Sequence, residues 1–164
     1  MGVEFNSLSK TYGLAGARIG FCLGNAQVVE HLSMLKSNMD YGMFLPVQKA
    51  AIAAITGDQS CVKTTREAYK RRRDCLCSSM SEAGWKMDRS PATMFVWAPI
   101  PATYQSSLEF VKDLLEKAGV IVTPGSAFGP SGEGYVRIAL VQEEDVIREA
   151  ANAVKKSGLF SVEK

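Results

Sequence analysis

Short apolar runs separated by turn-forming residues open the chain. Residues 2–6 alternate weakly between apolar and polar side chains, which predicts a short strand. Residues 19–23 are apolar apart from one glycine and are bounded by Gly24 and Asn25, which predicts a second, buried strand. The chain thus begins with two strands on either side of a glycine-containing turn.

Stretches with apolar residues at helical spacing follow these strands. Asn25 is placed to cap a first helix, and Pro46 stands where the first turn of a second helix accepts proline. Asp58 or Ser60 is placed to cap a long helix that runs to about Glu82, just before a glycine. The middle of the chain is therefore predicted to be helical.

After Gly84 the pattern changes to short apolar runs separated by amphipathic stretches. We expect strands at residues 85–87, 94–97, 120–122 and 135–140, and helices at residues 106–117 and 143–156. Ser106 or Ser107 is placed to cap the first of these helices, and Gly119 to end it. Such an order of elements makes a small α/β or α+β layer.

Composition and charge narrow the class of protein. The 164 residues suffice for one domain with its own core, and 46% hydrophobic with 22% charged residues is ordinary for a globular protein. The net charge of +2 is too small to indicate a nucleic acid or an anionic membrane as a partner. The basic run Lys70–Arg73 offers a nucleic-acid patch as one interpretation, but nearby Glu67 and Asp74 favour a solvated helix face.

The four cysteines are Cys22, Cys61, Cys75 and Cys77, and their spacing matches no zinc or redox motif. Only one histidine, His31, is available to help them bind a metal. The first residues do not show the basic region and apolar core of a secretory signal. We therefore expect reduced thiols, no metal site and a cytoplasmic location.

The segment from Ser7 to Gly20, SLSKTYGLAGARIG, carries the strongest chemical signal of the chain. Lys10 follows the first strand, lies between small hydroxyl residues and precedes Arg18. A lysine amine forms Schiff bases with carbonyl compounds, including pyridoxal phosphate. A serine hydroxyl and a guanidinium close to the lysine are suited to hold a phosphate group.

This segment closely resembles the lysine motif of the class I and II aminotransferases, which are fold-type I pyridoxal-phosphate enzymes. Their signature, Ser-x-Ser-Lys-x-x-Gly-x-x-Gly-x-Arg-x-Gly, is met here at every fixed position. The resemblance implies that Lys10 binds pyridoxal phosphate covalently. It also implies that Ser7 and Arg18 hold the cofactor phosphate, with Ser9 as a further candidate.

A glycine-rich loop beginning at Thr123 leads into the strand that holds Arg137. By itself the loop is typical of a turn between strands, because the Gly-Lys-Ser/Thr of a P-loop does not follow. Its pattern, Pro-Gly-x-x-Phe-Gly and then Gly-x-Gly-x-x-Arg-Ile, resembles the C-terminal motif of the same aminotransferases. That resemblance implies that Arg137 binds the α-carboxylate of the substrate, for which guanidinium offers a planar pair of donors.

The resemblance covers essentially the whole chain and places it within a longer protein. Residues 37–44 resemble a family segment near the dimer interface and the active-site mouth, which makes Tyr41 a candidate substrate-binding residue. Family members are much longer and carry further cofactor contacts upstream of the lysine. The implied fold is the C-terminal part of a pyridoxal-phosphate-dependent transferase, of class α/β with an α+β small domain. Its predicted parts are a large-domain remnant at 1–45, connecting helices at 46–84 and a small domain at 85–164.

The implied function is transfer of an amino group from an amino acid to a 2-oxo acid by a pyridoxal-phosphate-dependent aminotransferase. We expect a homodimer or another self-associated form, with no nucleic acid or membrane as partner. The chain by itself is expected to be inactive, because the upstream cofactor contacts of the family have no counterpart in it. Two alternatives stay open: a lyase or synthase of the same superfamily, and a non-catalytic α/β interaction module.

Overall fold

A computed structural model describes residues 2–160. Its strands are β1 (Val3–Ser7), β2 (Gly20–Gly24), β3 (Phe95–Pro99), β4 (Thr123–Pro124) and β5 (Tyr135–Ala139). Its α-helices are α1 (Leu8–Thr11), α2 (Ala26–Met39), α3 (Leu45–Thr56), α4 (Ser60–Glu82), α5 (Ser107–Ala118) and α6 (Glu144–Ser157). Short 3-10 turns occupy Ala15–Ala17, Gly125–Phe128 and Pro130–Gly132. The chain divides within α4 into two compact units, the first ending at Arg66 and the second beginning at Glu67.

An antiparallel hairpin of β1 and β2 begins the first unit. The strands pair in a register that runs from Val3 opposite Gly24 to Ser7 opposite Gly20. The prediction of a buried strand at residues 19–23 is wrong for this chain, because most of β2 is exposed and Leu23 keeps 57% of its surface accessible. A two-stranded hairpin cannot bury its apolar side chains without a second layer packed on it.

The helices of the first unit begin where the sequence predicts. The side chain of Asn25 accepts a hydrogen bond of 3.2 Å from the amide of Val28 and so caps α2. Pro46 lies in the first turn of α3. Of the two candidates before α4, Asp58 supplies the acceptor, which takes a bond of 3.1 Å from the amide of Ser60. These local side-chain contacts satisfy backbone donors that a helix start leaves unpaired.

A three-stranded antiparallel sheet of order β3-β5-β4 organises the second unit. Along β3 and β5 the side chains alternate, so that Val96, Ala98 and Val136 are fully buried on one face. Helices α5 and α6 pack on each other, and α5 also contacts β4 and β5. The largest fully buried side chains of the core are Trp85, Phe110, Met80, Leu114 and Leu140.

Two apolar runs predicted as strands are irregular in the structure, namely residues 85–87 and residues 120–122. Each follows a helix with a glycine just past its end, and these two, Gly84 and Gly119, have positive φ, 94° and 66°. The next amide then closes the helix: that of Trp85 donates to the Met80 carbonyl, and that of Val120 to the Leu114 carbonyl. Strand pairing therefore begins only later, at Thr123 in the second case.

The basic run of α4 contains two arginines that are not solvated. Arg72 and Arg73 keep only 18% and 19% of their side-chain surface accessible. Arg72 pairs with Glu143 and donates to the carbonyl of Leu140 at 3.4 Å, which ties α4 to the connection between β5 and α6. Arg73 donates to the carbonyl of Ser90 at 3.0 Å. The prediction of a solvated helix face is therefore wrong at these two positions.

The four cysteines are free thiols, of which Cys77 is buried. Burial raises the pKa of the Cys77 thiol above its ordinary value. Between residues 2 and 160, no group of three or more His, Cys, Asp and Glu side chains is placed to hold a metal ion. In that same range, no helix has the length and apolar character that crossing a membrane requires.

Two glycines of the loop before β5 touch through their backbones. A Cβ added to Gly125 would lie 2.0 Å from the carbonyl oxygen of Gly132 and 2.6 Å from that of Tyr135. A Cβ on Gly132 would lie 2.1 Å from the oxygen of Gly125. The closeness explains why a glycine is required at both positions of this turn.

We expect Gly125→Ala to lower the free energy of unfolding by about 1–3 kcal/mol, since backbone must move to admit the methyl group. Urea denaturation followed by circular dichroism measures this change. Gly16→Ala is the matched control, because a Cβ at Gly16 meets nothing within 4 Å. An unchanged denaturation midpoint for Gly125→Ala would contradict the predicted close contact.

The charged side chain of Glu133 also stabilises this loop. The Glu133 carboxylate accepts hydrogen bonds from the amides of Ser107, at 2.5 Å, and Gly134, at 2.9 Å. These bonds, from Gly134 first and then Ser107, hold the pKa of Glu133 below its ordinary value. Because Ser107 is the first residue of α5, the carboxylate joins the loop to the positive end of that helix.

A carboxylate with a lowered pKa stabilises the fold above its ordinary pKa, and that contribution is lost as the pH falls through the folded-state pKa. We therefore expect Glu133→Gln to lower Tm more at about pH 6 than at about pH 3. Thermal melts at both pH values, with Glu116→Gln on the exposed part of α5 as control, measure the difference. Equal losses of Tm at both pH values would contradict this role of Glu133.

Candidate active site

The turn that carries Lys10 follows directly from the end of β1. Ser7 caps α1, and its hydroxyl oxygen accepts a hydrogen bond of 3.1 Å from the amide of Ser9. The same hydroxyl lies 2.9 Å from the Ser9 hydroxyl and 3.3 Å from the carbonyl oxygen of Ile19. Two hydroxyl groups are thus gathered at the start of the helix that holds the lysine.

One buried side chain anchors this turn. Leu8 keeps only 3% of its surface accessible, and its amide donates to the carbonyl of Ile19 at 3.5 Å. Lys10, two positions later, is exposed. Within residues 2–160 its amine has neither a hydrogen bond nor an ion pair. The amine is therefore available to a ligand.

Arg18 lies at the same end of the hairpin in an unusual backbone conformation. It has φ 53° and ψ 48°, the left-handed region, and it ends the 3-10 turn Ala15–Ala17. Its guanidinium donates to the carbonyl of Ala15 at 3.0 Å. A left-handed conformation at a residue other than glycine costs about 1–2 kcal/mol, so the surrounding turn must hold it in place.

The hairpin brings these residues together through its register. Ser7 pairs with Gly20, so the turn after β1 and the turn before β2 meet at one end of the ladder. A Cβ at Gly20 would lie 2.6 Å from the carbonyl oxygen of Asn6, which explains the glycine there. Hydroxyl and guanidinium groups are suited to donate hydrogen bonds to a phosphate ester, and a free amine is suited to react with an aldehyde. The residues present therefore fit pyridoxal phosphate.

Tyr41 lies in the loop between α2 and α3, with φ 57° and 92% of its surface accessible. The loop is held by Asp40, whose carboxylate pairs with Lys36 and accepts from the amide of Gly42 at 3.1 Å. The hydrogen bond from Lys36 lowers the pKa of Asp40. No hydrogen bond in the described part of the chain joins Tyr41 to the lysine turn, so its role stays a prediction.

Arg137 belongs to the second unit and occupies the middle of β5. It stands opposite Trp97 on β3 and opposite Thr123 on β4. Its guanidinium carbon lies 4.4 Å from the ring centroid of Phe95 and 4.4 Å from that of Phe128. Within the part of the chain that the structure describes, its buried Nε has no hydrogen-bond partner.

An unpartnered buried N–H is costly, and a ligand that accepts a hydrogen bond relieves that cost. A carboxylate has the charge and the geometry to bind a guanidinium whose N–H donors are unpaired. The sequence did not point to Phe95 and Phe128 as neighbours of Arg137. Their aromatic character and the alternation along β3 were visible, but the pairing of β3 with β5 was not.

The chain is similar to known aminotransferases. Residues 2–154 match the family described as aminotransferase class I and II. The chain is 51% identical to glutamate-pyruvate aminotransferase AlaC of Escherichia coli K12, over 93% of this chain and 38% of that protein. It is 44% identical to an LL-diaminopimelate aminotransferase of Moorella thermoacetica, over 95% of this chain and 40% of that one.

Solved structures show the same likeness. Apo-BacF from Bacillus subtilis superposes with a TM-score of 0.89 at 37% identity, over 94% of this chain and 40% of that chain. An aminotransferase from Staphylococcus aureus gives 0.89 at 30% identity, over 97% of this chain and 42% of that chain. The chain spans about two-fifths of the length of these relatives and has the fold of that part of them. It belongs to the class I and II aminotransferase family.

Proposed function

We propose that this chain supplies part of a pyridoxal-phosphate-dependent aminotransferase, which passes an amino group from an amino acid to a 2-oxo acid. The observation that carries the proposal is the exposed Lys10 in the turn after β1, with Ser7, Ser9 and Arg18 in the turns at the same end of the hairpin. Membership of the family supports it, and so do the similar proteins described as aminotransferases.

Each residue of the hairpin end has a role in this proposal. Lys10 binds the aldehyde carbon of the cofactor, and Ser7, Ser9 and Arg18 bind its phosphate. When bound, pyridoxal phosphate supplies a ring that accepts electrons from the substrate. The Lys10 amine would hold and move a proton at the substrate Cα. Its exposure and lack of a partner suit both tasks.

Arg137 is proposed to bind the α-carboxylate, which every amino acid and every 2-oxo acid substrate carries. The guanidinium fits the task because it presents paired N–H donors in one plane, whereas a lysine would supply charge without orientation. Tyr41 is proposed to contact the substrate from the exposed loop between α2 and α3. The working protein is proposed to be cytoplasmic and self-associated.

We expect pyridoxal phosphate followed by borohydride reduction to label Lys10, because its amine is free and adjacent donors hold the phosphate. Peptide mass mapping of the 164-residue chain measures the label. Lys49→Ala, which removes another exposed lysine, should leave labelling of Lys10 unchanged. Arg18→Ala should raise the cofactor concentration needed by about tenfold or more, the value of a charge-assisted hydrogen bond.

Equal labelling of all exposed lysines, with no effect of Arg18→Ala, would overturn the proposed cofactor site.

A second test measures activity: glutamate and pyruvate are added to the chain with pyridoxal phosphate, without borohydride. We expect negligible amino transfer, because the chain spans only about two-fifths of the length of its relatives. Robust turnover by the chain itself would show that its own residues suffice and would contradict that expectation.

Exposed apolar side chains of the first unit support the proposed self-association. Large hydrophobic residues there keep more than half of their surface accessible, and they include Phe5, Leu23, Met34, Leu35, Met39, Phe44 and Ile52. Apolar surface of this extent is typical of an interface rather than of a monomer in water. In the described part of the chain, β1 and β2 pair only with each other. The backbone N–H and C=O groups on their outer edges therefore also favour association.

We expect the purified chain to form dimers or larger species, with a mass that rises with concentration in light scattering. Phe5→Ser combined with Leu23→Ser should reduce that mass, since both side chains lie exposed on the hairpin. Ile121→Ser, an equally apolar exposed residue of the second unit, is the control. A strictly monomeric wild-type chain at all concentrations would contradict the proposal.

A further inference from the structure

We propose that Phe95 and Phe128 are positioning residues that fix the orientation of the Arg137 guanidinium. This role rests on the proposed binding of a carboxylate by Arg137, and it explains how the guanidinium is oriented before the carboxylate binds. Both ring centroids lie 4.4 Å from the guanidinium carbon, well inside the range of a cation–π contact. A long side chain contacted by two rings loses much of its rotational freedom.

The two rings come from different parts of the second unit. Phe95 begins β3, and its side chain lies on the same face of the sheet as that of Arg137, because Trp97 and Arg137 are register partners. Phe128 ends the 3-10 turn Gly125–Phe128 that precedes β5. A strand and a loop therefore hold the same guanidinium.

The loop that carries Phe128 is itself held firmly. The backbone contact between Gly125 and Gly132 closes it, as described above. The hydroxyl of Ser107, a fully buried residue, accepts from the amide of Ser126 at 3.3 Å. On the outer face, the Phe128 ring meets Trp97 edge to face, with centroids 5.8 Å apart. The position of Phe128 is thus fixed by the first residue of α5 as well as by its own 3-10 turn.

Aromatic neighbours have a specific advantage over an acidic one at this position. Within residues 2–160 no carboxylate pairs with Arg137, so no residue of that range neutralises its charge. A ring face attracts the cation through its quadrupole and uses none of the N–H donors. An aspartate or glutamate would occupy those donors and compete with the carboxylate of the substrate. The rings therefore orient the group and leave it free to bind.

The test uses the 164-residue chain with ¹⁵N-labelled arginine, and Arg137→Lys assigns the Nε–H resonance of Arg137. The probe is pyruvate, titrated while that resonance is followed. We expect Phe128→Leu to speed hydrogen exchange at Nε and to raise the pyruvate midpoint, each by about threefold to thirtyfold, the range of one cation–π contact. Phe128→Tyr keeps the ring face and should restore both values to those of the wild type.

Tyr135→Leu is the matched control. Tyr135 stacks on Trp97 with centroids 5.7 Å apart and is 41% exposed on the same face, but its ring is not one of the two over the guanidinium. It should leave the exchange rate and the midpoint unchanged. Phe128 is half exposed, so Phe128→Leu should fold, and Phe128→Met offers a second non-aromatic side chain if it does not.

Two failures are distinguishable. If pyruvate shifts the wild-type resonance and Phe128→Leu gives the same midpoint and exchange rate, the positioning role is overturned while carboxylate binding by Arg137 stands. If Phe128→Leu speeds exchange but pyruvate shifts no resonance in any variant, orientation by the rings is supported and the proposed function of Arg137 is contradicted. An equal effect of Tyr135→Leu would also overturn the proposal, because it would show a general loosening of the sheet face.

Discussion

The second unit depends on the alternation of inward-facing and outward-facing side chains along the paired strands β3 and β5. Val96 and Val136 turn inward and are fully buried, and this burial holds β3 and β5 against the core. The next residues along each strand, Trp97 and Arg137, necessarily turn the other way and meet across the ladder. The packing that stabilises the fold therefore also presents a guanidinium on the opposite face. The aromatic surroundings of Arg137 follow from the same register.

The first unit relies on local contacts rather than on a core. Among the hydrophobic residues described between positions 2 and 66, only Leu8 and Ala51 are buried. Its lysine turn is held instead by the cap of Ser7 and by two hydrogen bonds to the carbonyl of Ile19. Such contacts define the backbone near Lys10 but contribute little burial of apolar surface.

Sequence reasoning succeeded where the relevant interactions are short in range. Helix starts at Asn25 and Ser106, and the helix end at Gly119, follow from the residues themselves and are confirmed. It failed where a distant partner decides the outcome. Trp85 looked like part of a strand but closes a helix and packs edge to face on Phe110. The arginines of α4 looked solvated, yet Arg72 reaches the loop after β5.

The sequence by itself determined the family, the lysine motif that includes Arg18 and the C-terminal motif that includes Arg137, because these depend on residue identity at fixed spacing. Gly20 and Gly125 stand inside those motifs, but the close backbone contacts that require a glycine there are seen only in the structure. Only the tertiary structure decided that Phe95 and Phe128 flank Arg137 and that its Nε is buried without a partner. Strand pairing and loop closure bring these residues together from positions far apart in the chain, and the local order of amino acids does not show which of them meet.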